Sequence, residues 1–377
     1  MKALLEPTRR DEAWRYIETS FLSEHPKGEL QPSSSFSDLP SLWEGISGRL
    51  VIHGGEVAED LSSPKILESL SINETSSPEL FMLARKEDWY ASRHTGAKTI
   101  VIDLPTGIQE TPFEIFLGHL GSGAENRNSF LIKVPRASEH MILIRTHGCD
   151  EDYLANLEWG LELADGARVK VLFDQGDGKK ALFLSSMRST LGRDAFLEVQ
   201  CLAGESRLTR QRLSVDLLGE NSEVFLSGVG LCDHEESLHH FVQINHKVAN
   251  ARSRQLFKVA MQGEARSSFD GTIEVDKGAD GTDANQLCRY LMLNDKVRAS
   301  AKPQLKIYAD DVACAHGATV GQLEDEERFY LISRGLSPEI SSALLSRGFV
   351  TEVLEEGSFL QYTHDWQERL LSNRLPL

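Results

Sequence analysis

Residues 165–229 read DGARVKVLFDQGDGKKALFLSSMRSTLGRDAFLEVQCLAGESRLTRQRLSVDLLGENSEVFLSGV, and this stretch decides the fold. Within it Asp165-Gly166-Ala167-Arg168-Val169, Leu191-Gly192-Arg193-Asp194-Ala195-Phe196 and Leu218-Gly219-Glu220-Asn221-Ser222-Glu223-Val224 form a weak repeat, its glycines 26 and 27 residues apart. Each interval holds about two strand-plus-turn units. A repeated unit with one apolar face must bury that face against the next copy, which implies a stacked coil. Two strands per repeat with glycine-containing turns predict a β-helix. A β-sandwich is the alternative, since it too shows short strands at close spacing; the regular interval favours the coil.

Outward from this stretch the same pattern continues. Short apolar-rich runs recur at Phe241–Ile244, Gln255–Met261, Thr272–Val275, Leu287–Leu293 and Gln304–Tyr308, so the chain is expected to be mainly β. We divide it at 96 and 320: residues 1–95 as a mixed, partly helical region, 96–319 as the β-helix core and 320–377 as a helical end. In the first region Arg9–Leu22 predicts a short amphipathic helix with Trp14 and Ile17 on one face. Gln31–Pro40 reads as a Ser/Pro-rich loop, Leu50–Gly55 as a strand and turn, and Ser77-Pro78-Glu79 as a helix start. In the last region Glu324–Glu327 loads acid onto a helix N-terminus, Gly335 stops that helix, and Ser337-Pro338-Glu339 caps a second running to about Glu355.

Composition excludes several functions. The net charge is −17, from 40 basic and 57 acidic residues, and the basic ones form no cluster, which disfavours nucleic acid. No apolar stretch approaches the roughly 20 residues that cross a bilayer, and the first residues carry no secretory pattern, so a reducing cytoplasm is expected. The five cysteines, Cys149, Cys201, Cys232, Cys288 and Cys314, are widely spaced and support neither a disulfide framework nor a self-contained zinc site. There is no P-loop and no Gly-x-Ser-x-Gly, and Gly118–Gly123 has the wrong spacing for a dinucleotide turn. His234-Glu235-Glu236-Ser237-Leu238-His239 has one residue too many for a zincin helix and reads as a polar turn.

Cys314-Ala315-His316-Gly317 is the remaining candidate. On a strand, positions 314 and 316 share a face, and thiolate plus imidazole suit iron or a similar metal. They supply two ligands only, so a complete site needs a partner chain. A nucleophile–base pair would also need an orienting Asn or Asp, which the sequence does not identify. The plain alternative is a small buried Cys beside a hydrogen-bonded core His.

At this point the chain resembles a known family. Asp310–Leu323 (DDVACAHGATVGQL), Phe329–Leu336 (FYLISRGL), Thr282–Gln286, Leu291–Leu293, Lys302–Ile307, His246, Arg254–Lys258 and Glu12–Tyr16 are similar, in order, to the SufB/SufD family of iron–sulfur cluster assembly proteins. His316-Gly317-Ala318-Thr319-Val320-Gly321 and the lack of a cysteine-rich stretch resemble its SufD branch more than its SufB branch, while residues 96–160 depart from that pattern. The resemblance implies a right-handed parallel β-helix flanked by N-terminal and C-terminal helical regions. It implies a non-catalytic scaffold in a complex with a SufB-like paralogue and two copies of a SufC-like ATPase, or a homodimer when SufB is absent. Phe329, Tyr330, Arg334, Ile340 and Leu344 become ATPase-docking candidates. His316 and Cys314 become cluster-assembly and metal candidates, completed by the partner chain. No cofactor would be held stably by this chain alone; iron or an iron–sulfur cluster would pass transiently at the interface with SufB. The other readings are a β-helix carbohydrate-active enzyme or acyltransferase, and a SufB-like subunit.

Overall fold

Period-two alternation turns the repeat into a coil. The computed structural model describes residues 7–8, 10–11, 14–24, 28–29, 39–76, 78–119 and 123–376. On strand Arg168–Gly176 the side chains of Val169, Val171 and Phe173 point into the core. Their in-register neighbours are Leu197, Val199 and Cys201 on Phe196–Gly204, then Val224, Leu226 and Gly228 on Glu223–Cys232. Each column is a stack of apolar or small groups at the ~4.8 Å spacing of parallel strands. The chain alternates between two ten-stranded sheets, so each strand pairs with the one two further along the sequence. One sheet ends at Val312–Gly321 and the other at Arg298–Ile307. Pairing among the described strands is parallel, except Arg49–His53 with Glu56–Val57 and Ser71–Thr75 with Thr99–Asp103. This is the expected parallel β-helix, and the parallel ladders rule out the sandwich.

The turns are as regular as the strands. Gly166, Asp194, Asn221 and Asn250 each stand two residues before a strand of the first sheet and Gly281 one residue before, with φ of 67°, 57°, 59°, 61° and 72°. This left-handed conformation is open to glycine and tolerated by Asn and Asp. The turns are also stitched to one another: Gly166 N donates to Arg193 O at 2.7 Å and Asp194 N to Glu220 O at 2.9 Å. Gly166, Gly192 and Gly219 therefore do lie in consecutive stacked turns. Only Gly192 and Gly219 are equivalent, however; Gly166 occupies the left-handed place two residues later. A Cβ on Gly219 would fall 1.9 Å from the backbone nitrogen of Arg193, so close approach between turns is what requires glycine there.

Both outer faces are covered. Helix Pro338–Glu356 and the segment after it bury Val350, Val353, Leu354, Trp366, Leu370 and Leu371 against Leu143, Leu172, Leu202, Leu231 and Leu256 of the first sheet. Polar clamps accompany them. Arg374 grips Glu236 through two contacts of 2.6 Å, Arg369 reaches Asp174 at 2.9 Å, and Arg145 reaches Asp365 at 3.2 Å. On the other sheet Trp14, Ile17, Leu22, Trp89 and Tyr90 cover Leu154, Leu182, Leu184 and Leu208. A sheet covered on both faces loses clean alternation, which explains the near-continuous apolar runs.

Some local expectations change. Within Arg9–Leu22 the described helix is only Ser20–Glu24, and Trp14 and Ile17 reach the core from turns. Glu12, Ala13 and most of Gln31–Pro40 lie outside the described residues. Pro78 sits at the cap of helix Glu79–Glu87, not at its first position. The sheets reach back to Arg49–His53 and Ser71–Thr75, and residues 96–160 carry regular strands despite departing from the family pattern. The helical end follows its signals. Ser337 accepts from Ile340 N at 3.2 Å, Pro338 opens the helix, and Gly335, φ 97°, stops the one before.

Candidate functional site

Cys314 and His316 lie on Val312–Gly321, the last described strand, which among the described residues is paired along one edge only, to Thr282–Met292. In register, Cys314 follows Ala284, His316 follows Gln286 and Ala318 follows Cys288. Ala284, Gln286 and Cys288 are buried in the core. Cys314 and His316 therefore continue interior columns, on a coil that no further coil covers among the described residues. Across from them strand Arg298–Ile307 carries Ala299, Ala301 and Pro303, all half-buried. The result is an uncapped end with small side chains around one half-buried thiol and one exposed imidazole.

The surroundings decide what the pair can do. Burial, then the negative charge of Asp283, pushes the Cys314 thiol upward, away from the thiolate that a nucleophile requires. The core-histidine alternative does not describe His316, whose ring is exposed. Among the described residues no three His, Cys, Asp or Glu side chains gather as a metal site, so this chain offers at most two ligands here. Cys201, Cys232 and Cys288 are buried, with thiols raised by burial, that of Cys201 to about 12. Cys149 is half-buried. His234 and His239 are kept apart. His234 sits exposed in a left-handed turn, whereas His239 is buried and its Nδ1 lies 2.7 Å from Ser268 Oγ.

Three residues after the strand, helix Asp325–Ser333 begins, and none of its side chains is buried. Phe329 and Tyr330 are 72% and 57% exposed, with Ile332 beside them and Ile340 and Leu344 exposed on the next helix. Arg334 lies over the Tyr330 ring, 5.2 Å from its centroid. The opposite side of the second helix buries Ser341, Ala343, Ser346 and Val350. Phe329, Tyr330, Ile332, Ile340 and Leu344 thus form an exposed apolar group on these two helices, the first of which buries no side chain.

Sequence reasoning missed a buried polar cluster inside the earlier coils. Asp177 accepts from His119 Nδ1 at 2.7 Å, Thr146 Oγ1 at 2.7 Å and Tyr153 OH at 2.8 Å. Burial alone would raise its carboxyl, but His119 and the hydroxyl donors hold it below the ordinary carboxylate range. The signal was present: Val171, Phe173, Gln175 and Asp177 keep one parity, so polar residues continue an inward-facing row.

Comparison with known proteins gives a consistent picture. Residues 119–349 match the family described as SUF system FeS cluster assembly, SufBD core domain. The chain is 29% identical over 254 residues to an iron-sulfur cluster assembly SufBD family protein of Mycobacterium leprae, covering 65% of this chain and 64% of that protein. It is 35% identical over 146 residues to the iron-sulfur cluster assembly protein SufD of Escherichia coli, covering 39% and 34%. With Protein ABCI7, chloroplastic, of Arabidopsis thaliana it shares 26% identity over 388 residues, covering 93% and 79%. The match thus spans less than two thirds of the first two relatives.

Proposed function

Because the chain belongs to the SufBD family of the SUF iron–sulfur cluster assembly system, we propose that it is a non-catalytic, SufD-type scaffold subunit that pairs with a SufB-like paralogue and docks a SufC-like ATPase. The observation that carries this reading is the open end of the β-helix. A strand bearing Cys314 and His316 has one bare edge and an uncovered interior column, and it leads directly into helices with exposed Phe329 and Tyr330. A bare edge beside small side chains suits a second β-helix stacked end to end, and a partner there would supply the ligands that this chain lacks. Iron or the nascent cluster is then cargo handled at the junction, where His316 and Cys314 donate to it. The ATPase docks on Phe329, Tyr330, Ile340 and Leu344, with Arg334 beside them. The family match weighs against the carbohydrate-active and acyltransferase readings.

The test is co-expression with a SufB-like and a SufC-like subunit, followed by iron and sulfide analysis of the purified complex. His316→Ala is expected to leave folding and complex formation intact, because the ring is exposed, and to lower cluster content sharply. Cys314→Ser exchanges a soft sulfur for a poor iron ligand at similar volume. Full cluster content in a stable His316→Ala complex would sink the site assignment, and failure to co-purify with either partner would sink the scaffold reading.

A further inference from the structure

Amides inside a β-helix must satisfy one another, because water is absent. One interior column runs Leu226, Gln255, Gln286, His316 on four adjacent strands in register. Gln255 and Gln286 are 1% and 0% exposed. Gln286 Nε2 donates to Gln255 Oε1 at 2.8 Å. The amide is seated against bare backbone, since a Cβ on Gly271 would fall 2.3 Å from Gln286 Nε2. The column therefore has a direction: on Gln286 the hydrogen points back to the preceding strand, which leaves Oε1 as the acceptor. Gln286 Oε1 is buried and has no partner among the described residues. The next rung, about 4.8 Å away, is His316.

We infer that Gln286 is a positioning residue for His316, accepting one imidazole N–H on its Oε1 and so fixing a single tautomer. The second ring nitrogen then faces out of the open coil as a bare lone pair, which is the form a metal or a proton donor needs. The functional weight of this arrangement rests on the reading of His316 as a cluster-assembly residue; the in-register column and the unpartnered Oε1 do not, and the bond between them is the inferred step. A chain with apolar side chains at 255 and 286 would leave the ring free to turn and to exchange its proton between the two nitrogens.

The experiment is nitrogen NMR of the full chain carrying ¹⁵N-labelled histidine, at pH about 8, where a free imidazole of pKa about 6.5 is neutral. His316→Ala identifies the signals by their loss. The native chain is expected to show one protonated and one bare ring nitrogen for His316. Gln286→Met keeps the volume and removes the acceptor, and should merge the two signals toward an average. Gln286→Glu keeps an oxygen in place, and Gln255 Nε2, which has no partner among the described residues, can turn to meet it; the two signals should stay apart. Cluster content of the Gln286→Met complex should fall about tenfold, the scale typical of outer-sphere partners, whereas a Gln255→Met control, which loses the same buried amide bond but keeps the Gln286 acceptor, should match its drop in melting temperature and keep its cluster content. Averaged signals in the native chain would overturn the inference, as would separate signals surviving in Gln286→Met. If Gln286→Met does not fold, the native spectrum alone decides. If His316→Ala keeps full cluster content while the native ring is one tautomer, the positioning stands and the cluster role of His316 falls.

Discussion

Replacing Glu352 by Gln tests how the C-terminal helix is held to the coil. Lys258 lies on the outer face of strand Arg252–Met261, fully buried under helix Pro338–Glu356. Its ammonium forms an ion pair with Glu352, without a well-aligned hydrogen bond, and lies 4.9 Å from the Phe349 ring centroid. Glu352 is itself half exposed, so screening weakens the pair. At about 4 Å two unit charges attract by about 1 kcal/mol in water and about 4 kcal/mol at intermediate dielectric, and the half-exposed carboxylate places this pair near 2 kcal/mol. Glu352→Gln removes the partner and leaves a buried ammonium, so the helix should open more readily by about that amount. Amide exchange along 338–356 would then quicken by about 30-fold, at 1.4 kcal/mol per decade. Lys258→Met keeps the apolar stem and removes the desolvated charge, so exchange should stay within a few-fold of the native chain. In that background Glu352→Gln should have almost no effect. Equal losses from Glu352→Gln and Lys258→Met, or no loss from Glu352→Gln, would refute the latch.

Three further outcomes are expected. Burial lowers the pKa values of His239 and His240 to about 3; the unfolded chain therefore binds protons that the folded one refuses, and stability falls as pH drops from about 6.5 toward 3, by about 2 kcal/mol per histidine at pH 5. Urea midpoints at pH 7 and 5 check this, and a double His239→Gln/His240→Gln chain that keeps the same pH slope would contradict it. Gly219→Ala should cost several kcal/mol, because its Cβ meets backbone at 1.9 Å, whereas Gly321→Ala, with nothing within 4 Å, should be neutral; equal melting temperatures would disprove the close approach. Phe329→Ala with Tyr330→Ala should weaken binding of the SufC-like ATPase at least tenfold at unchanged melting temperature, measured by calorimetry on the purified chain, since neither side chain is buried.

The coil was legible because its signal is local and repeated. Alternating Val169, Val171 and Phe173, and close turns at Gly192 and Gly219, report the interior and the stacking directly. The helix expected at Arg9–Leu22 failed because Trp14 and Ile17, three apart, fit a helical face and a pair of turns equally well. Polar interior residues such as Gln255, Gln286 and Asp177 were hidden by the assumption that polar means outward. Near 256–260 the rule inverts: Leu256 and Ala260 face outward, under a helix whose covering position no local pattern reveals. The shared face of Cys314 and His316 followed from strand geometry. Their accessibility did not, because it depends on the absence of a further coil.

The C-terminal segment also has a mechanical meaning. Its arginine and aspartate anchors grip strands Glu139–Gly148 and Arg168–Gly176 and the turn at Glu236, so it acts as a strap across several coils and shares any load among them. The strand carrying His316 has no such support. It is held by one neighbour and joined through Gln322–Glu324 to a helix with no buried side chain. Force applied to that helix therefore reaches a strand held by a single paired neighbour first, while the strap keeps the rest of the coil still.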